Sequence, residues 1–233
     1  MKKENRTVLQ ISRLLLTVFL PFILLMTILQ FYTFNIDFYL STYEKNNVQE
    51  STGMGMRDLE RVTIKLMDYL KDREENLDIQ ATIRGEMREI FGDREKLHMI
   101  DVKQLFLKAF ALRKLGFLLI AIALMAIYRL SNDPLRDIYK SVLWSGLVPL
   151  IFALILLILM QIDFNKYFTH FHEIFFDNDL WLLDPEKEVL IQMVPLEFFI
   201  EISTKIFSWF LGIQLVLSAA AYKMLRSGKI KSY

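Results

Sequence analysis

Leu14 to Phe34 reads LLLTVFLPFILLMTILQFYTF, a run without a charged residue. As a helix rising 1.5 Å per residue, it is long enough to cross a hydrocarbon core of roughly 30 Å. A segment in hydrocarbon must pair its own backbone N–H and C=O groups, so this run commits the chain to a helical membrane fold. Lys2, Lys3, Arg6 and Arg13 precede it. The pattern resembles a secretory signal, but the run is too long and no small-residue cleavage site follows, so it is expected to persist as a first span. Pro21 and Gln30 within it read as a tolerated kink and a snorkelling or interhelical polar group.

Composition agrees. Of 233 residues, 54% are hydrophobic and 19 are Phe, with a mean hydropathy of +0.31, which suits a membrane protein better than a soluble one. The net charge of +1 says little by itself. Cys is absent, which excludes disulfides, thiolate nucleophiles and cysteine metal sites. There is no Walker loop, GxSxG, dinucleotide fingerprint or nucleic-acid motif, and the basic residues are accounted for by membrane orientation.

Three further apolar runs follow. Leu115–Leu130 is short for a span unless its upstream turns are partly immersed, Val142–Ile162 contains Pro149, and the last extends from Ile202 to Tyr222. Arg129–Lys140, with Asn132, Asp133 and Pro134, reads as a short polar turn. The long segment 35–108 carries 12 Lys/Arg and 15 Asp/Glu, so it should fold as a small polar excursion. Within it, Met56, Leu59, Thr63, Leu66, Met67 and Leu70 recur at helical steps and predict an amphipathic helix. Short alternation around Leu77, Ile79, Ala81, Ile83 and Gly85 allows a hairpin. The expected fold is an all-α membrane protein of four transmembrane helices with a mainly helical extracellular cap. Its parts are 1–34 (N-terminus and first span), 35–108 (cap), 109–162 (second and third spans), 163–203 (a second outer segment) and 204–233 (fourth span and basic tail).

Orientation follows from charge in the short flanks. Four positive residues precede the first span, three lie in the middle turn (Arg129, Arg136, Lys140) and four end the chain (Lys223, Arg226, Lys229, Lys231), against only Lys166 and Lys187 in 163–203. The positive-inside rule then puts both termini and the middle turn in the cytoplasm, and long loops are exempt from it. His98 precedes the second span and His170 and His172 follow the third, so all three histidines are expected at the outer end of the bundle.

Those histidines are the groups best suited to proton transfer near neutrality. His98, Asp101, Val102 and Leu105 share a helical face. His170 and His172 form an HxH pair; in a strand both would face one way and with His98 could ligate a metal, whereas in a helix they diverge by roughly 200° and only one could join His98. Asp101, Glu173, Asp177, Asp179 and Asp184 are either a solvated rim or supporting acids, and Asp101, one turn from His98, could orient its ring. Phe171, Phe175, Phe176, Trp181, Phe198 and Phe199 are either interfacial packing or a lining for acyl chains. Arg94 and Glu95 are either an exposed pair or a holder for a polar substrate end. A metal-dependent membrane hydrolase and a non-catalytic membrane sensor or assembly protein are the competing classes.

Two blocks and a trailing motif carry a resemblance: GDREKLHMIDVKQLF (Gly92–Phe106), FHEIFFDNDLWLLDP (Phe171–Pro185) and PLEFF (Pro195–Phe199). Set between four spans, they resemble the lipoprotein intramolecular transacylase family, Lit, of Gram-positive bacteria, over nearly the whole chain. The resemblance implies a bacterial cell-membrane acyltransferase with its site at the extracellular face. It would move the sn-2 acyl chain of a lipoprotein's diacylglyceryl group onto the free α-amine of the N-terminal cysteine, leaving a lyso-form lipoprotein. It implies a catalytic pair, His98 from the family's E-x-x-H-x-x-D-V block and His172 from its F-H-x-x-F-F block, leaving His170 without a counterpart. Where the family has a Ser opening a capping box to Glu95, this chain has Gly92. Asp101, Glu95, Arg94, Asn178 and Trp181 are the supporting candidates, and Phe171, Phe175, Phe176, Phe198 and Phe199 the lining. No metal or cofactor is expected, and the partners are the diacylglyceryl lipoprotein and membrane lipid, with no nucleic acid.

The topology is tested with single cysteines in this cysteine-free chain and an impermeant thiol reagent. Ser51→Cys should label in intact cells, while Asn132→Cys and Ser232→Cys should label only after lysis. Labelling of Asn132→Cys in intact cells would overturn the orientation.

Overall fold

The computed structural model describes residues 3–227; Lys2, Lys229 and Lys231 lie outside the described residues. In chain order the elements are α1 (Lys3–Thr33), α2 (Ile36–Lys45), α3 (Val48–Thr52), α4 (Met56–Leu70), β1 (Gln80–Ile83) and β2 (Glu86–Glu89). Then come α5 (Asp93–Leu130), α6 (Pro134–Ile162), α7 (Phe164–Phe175), α8 (Val189–Met193) and α9 (Leu196–Arg226). Four of them, α1, α5, α6 and α9, are long and apolar enough to cross a membrane. The chain divides into two compact units, one drawn from Met1–Leu29, Phe110–Ile158 and Lys205–Tyr233, the other from Gln30–Ala109 and Leu159–Thr204.

In the first unit Leu9 and Leu16 of α1 bury against Ile127 of α5, with Leu20, Ile120, Leu124 and Ile138 packed around them. Arg13 of α1 pairs with Asp137 of α6, and the Ser131 hydroxyl donates to the same carboxylate oxygen at 2.5 Å. A buried carboxylate needs such partners. The polar turn is shorter than the charge pattern suggests, because Asp133 caps α6 by accepting the Arg136 N–H at 3.1 Å and Pro134 opens the helix. Proline suits the first helical position, where no N–H bond is lost. Only 131–133 are non-helical. Farther along, the buried Gln214 of α9 donates to the Ser145 carbonyl of α6 at 2.7 Å. The helices meet closely at Gly146, where a Cβ would lie 1.8 Å from Ser218 Oγ and 3.1 Å from Ser218 Cβ.

In the second unit α4 buries Leu59, Val62, Thr63, Leu66, Met67, Tyr69 and Leu70, the face read from its periodicity. The buried Tyr43 hydroxyl pairs with that of Thr63 at 2.7 Å. The alternating segment is a hairpin, β1 antiparallel to β2 with Ile83 opposite Glu86. Its turn residues Arg84 and Gly85 have φ of 50° and 89°, the left-handed pair that matches the twist of a two-residue hairpin. This ribbon is the departure from an all-α chain among the described residues.

The close approach at Gly146 predicts a graded response to added volume. Gly146→Val should lower the melting temperature in detergent, since overpacking typically costs ~1–3 kcal/mol. Gly212→Ala, where a Cβ meets nothing within 4 Å, should leave it unchanged or raise it. Equal melting temperatures for Gly146→Val and wild type would contradict the packing.

Candidate active site

The second unit contains every residue singled out as a site candidate, and the helical phase decides which of them meet. In α5, Arg94, His98 and Asp101 recur at four- and three-residue steps and so share a face. That helix is preceded by Gly92, whose N–H donates to Glu95 Oε2 at 2.6 Å. This is the returning half of a capping box, and it forms with glycine in the cap position because it uses the backbone N–H alone. The other oxygen of Glu95 accepts the Leu190 N–H, also at 2.6 Å. Glu95 is buried, so it is not half of an exposed pair with Arg94. Burial raises its pKa, with Glu188 adding to the effect, against the pull of the N–H groups of Leu190, Gly92 and Val189. Arg94 reaches the Asp179 carbonyl and lies 3.7 Å from the Asp179 carboxylate.

In α7, Phe164, Phe168 and His172 fall four residues apart, on one face, with Phe164 and His172 buried. His170 faces the other way, exposed, with Nδ1 2.9 Å from Glu173. The histidines of the HxH pair therefore diverge, and His172 is the one that joins His98. The two rings are 6.2 Å apart between centroids. Among the described residues no group of three His, Asp or Glu side chains is placed to hold one metal ion.

The surroundings of the pair are aromatic. Phe176 lies 5.4 Å from His98 and 5.6 Å from His172. The Phe168 ring meets His172 edge-on at 4.4 Å, and Trp181 stacks on it at 4.7 Å with planes 22° apart. Phe199 packs on Phe168. Phe198 instead packs against Phe38 and Tyr39 and is buried, which makes it core. Phe171 and Phe175 pack on each other with planes 45° apart and remain exposed.

Hydrogen bonds settle the state of one histidine. His172 Nδ1 lies 2.7 Å from the Phe168 carbonyl. A carbonyl can only accept, so Nδ1 carries the proton and Nε2 keeps its lone pair. His98 Nδ1 is buried and has no partner among the described residues. Asp101, expected to orient His98, accepts the Asn178 amide instead at 2.9 Å, and its effect on His98 is through charge. Burial lowers the His98 pKa to about 4, helped by His172 and opposed by Asp101. Burial also lowers that of His172, against its bond to the Phe168 carbonyl. Both rings are neutral at pH 7. Phe168 was not among the residues picked from sequence, although its place one turn before His172 was a usable signal.

A model of the family described as lipoprotein intramolecular transacylase Lit matches residues 14–199. The chain belongs to that family. It is thereby an enzyme of the acyltransferase class and a multi-pass membrane protein. Its fold is that of the membrane-integral Lit from Bacillus cereus, with a TM-score of 0.78 at 21% identity over 98% of this chain and 99% of that one. A form of the same Bacillus cereus protein with a histidine-to-arginine substitution gives 0.74 at 20% identity, covering 95% and 93%. An uncharacterized protein of Aquifex aeolicus is 26% identical over 192 residues, 80% of this chain and 83% of its own.

The neutral burial of His98 has a consequence for stability. Between pH 6.5 and about 4 the unfolded chain binds a proton that folded His98 refuses, so stability falls as pH falls, by up to roughly 3 kcal/mol. Glu95, with its pKa raised, acts in the opposite sense, so the informative quantity is a difference. The loss of thermal stability between pH 7 and pH 4 should be smaller in His98→Gln than in wild type. An unchanged or larger loss would contradict the burial of a neutral ring.

Proposed function

We propose that the enzyme moves the sn-2 acyl chain of a diacylglyceryl-modified lipoprotein to the free α-amine of its N-terminal cysteine, using His172 as base and His98 at the ester oxygens. The observation that carries this reading is the Nδ1–H of His172 tied to the Phe168 carbonyl, which leaves the Nε2 lone pair available beside a second buried imidazole. An α-amine with a pKa of about 8 must shed a proton to attack an ester. That first proton goes to water; as the resulting neutral amine bonds to the ester carbon, His172 Nε2 takes a second proton from the nitrogen. His98, neutral at pH 7, donates a hydrogen bond to oxygen as negative charge gathers on it. Collapse of the tetrahedral centre breaks the ester, and the departing sn-2 oxygen receives the proton that His172 carries. One amide forms, one ester is lost and a hydroxyl is freed, so substrate and product are isomers. Holding amine and ester of one molecule together replaces a bimolecular encounter. No protein nucleophile, metal or cofactor enters the scheme.

The aromatic residues around the histidines support a site for acyl chains and for excluding water from the tetrahedral centre. The flanking charges support a placement at the extracellular face of a bacterial cell membrane, with both termini in the cytoplasm. The three-histidine hydrolase reading needs His170 beside the other two, and His170 is turned toward Glu173.

General acid or base help is typically worth ~10² to 10⁴ in rate. His98→Ala and His172→Ala should each lose about that much turnover, and His170→Ala should retain it, measured by fragmentation mass spectrometry of a diacylglyceryl peptide. Trp181→Ala should also lose transfer while still folding and inserting. Full activity in His172→Ala, or loss of activity on adding a chelator, would overturn the scheme.

A further inference from the structure

The chain between α7 and α8 is pinned to α5 at two adjacent points. The Asn178 side-chain amide donates to Asp101 at 2.9 Å, and Arg94 reaches the next carbonyl, that of Asp179. Asn178 then organises the turn that follows. Its side-chain oxygen accepts the Leu180 N–H at 3.1 Å, and its carbonyl accepts the Trp181 indole N–H at 2.9 Å. The indole so held lies face to face on His172, while Nδ1 of that ring donates to the Phe168 carbonyl. Asn178 is exposed, so burial does not explain why an amide with this set of partners stands here.

We infer that Asn178 is a positioning residue: anchored on Asp101, it holds the Trp181 indole against His172, and the indole face favours the imidazolium that His172 becomes when it takes a proton. An aromatic face attracts a cation laid on it, and more strongly where water is excluded. The stack therefore opposes the effect of burial, which disfavours a charged ring. The inference rests on His172 acting as the base, but the stack itself can be judged without that. The titratable and charged groups to be reckoned with are His98 and Asp101 on α5, Arg94 with Asp179, and Glu173 with His170 on α7.

The test is the titration of the His172 ring, followed by NMR in the full-length detergent-solubilised enzyme, together with transfer activity against pH. Asn178→Asp sets two carboxylates against each other and should release the indole. The His172 midpoint should then fall by about 0.5 to 1.5 pH units, as it should in Trp181→Leu, while Trp181→Phe, which keeps an aromatic face, should fall less. The exchange Asp101→Asn with Asn178→Asp restores a donor and acceptor in reverse and should recover the wild-type midpoint and pH profile. A wild-type or higher midpoint in Trp181→Leu would show that the indole acts only by excluding water, and failure of the exchange to rescue Asn178→Asp would remove the anchor. Either result overturns the inference. If His172→Ala keeps full activity, the proposed function fails, and the titration still decides whether the stack exists.

Discussion

A carboxylate taken out of water must be met by donors, and in the second unit that requirement falls on Glu95. Its two oxygens accept backbone N–H groups from the start of α5 and the start of α8, neither of which has a helical partner at that position. One side chain thus caps two helices and fixes the turn of α5 that carries Arg94, His98 and Asp101. Removing it would leave the buried Leu190 N–H unpaired, at a cost of ~1–3 kcal/mol. What sequence suggested as a substrate holder is better understood as the tie on which the geometry of His98 depends.

The histidines illustrate how burial selects chemistry. In water an imidazole is half protonated near pH 6.5; desolvation lowers both rings, His98 to about 4. A ring so depressed is a weak base but an available one, with its lone pair unblocked at neutral pH. The cost is a less stable imidazolium, and an aromatic face placed on His172 is a way to recover part of that loss without admitting water. The proposed division of roles suits this asymmetry: the ring whose tautomer is fixed by a carbonyl would move the proton, and the ring depressed to about 4 would stay neutral and donate.

Much of the fold was legible because its signals are strong and local. Four apolar runs, the periodic face of α4 and the Gly85 turn each report their own structure without reference to the rest. The choice between His170 and His172 was legible only conditionally: helical phase says that one must face away, but which one depends on the packing of Phe164 and Phe168, which spacing alone does not reveal. Roles set by backbone groups were the least legible. The Leu190 N–H on Glu95 and the Asp179 carbonyl on Arg94 depend on where distant segments meet, whereas the Phe168 carbonyl on His172 lies one helical turn away and was signalled only by that spacing. Asp101 shows the same limit, since its spacing from His98 was right but its bond goes to Asn178, 77 residues away.

Because the proposed transfer within one molecule conserves mass, the decisive measurement locates the acyl chain. Purified enzyme is incubated with a synthetic cysteine peptide whose diacylglyceryl group carries an isotopically labelled sn-2 chain, and the product is fragmented in a mass spectrometer. The account predicts an unchanged total mass with the labelled chain now on the α-amine and a free hydroxyl on the glyceryl group. Loss of the labelled chain to water, or gain of an unlabelled chain on the amine from added lipid, would contradict it.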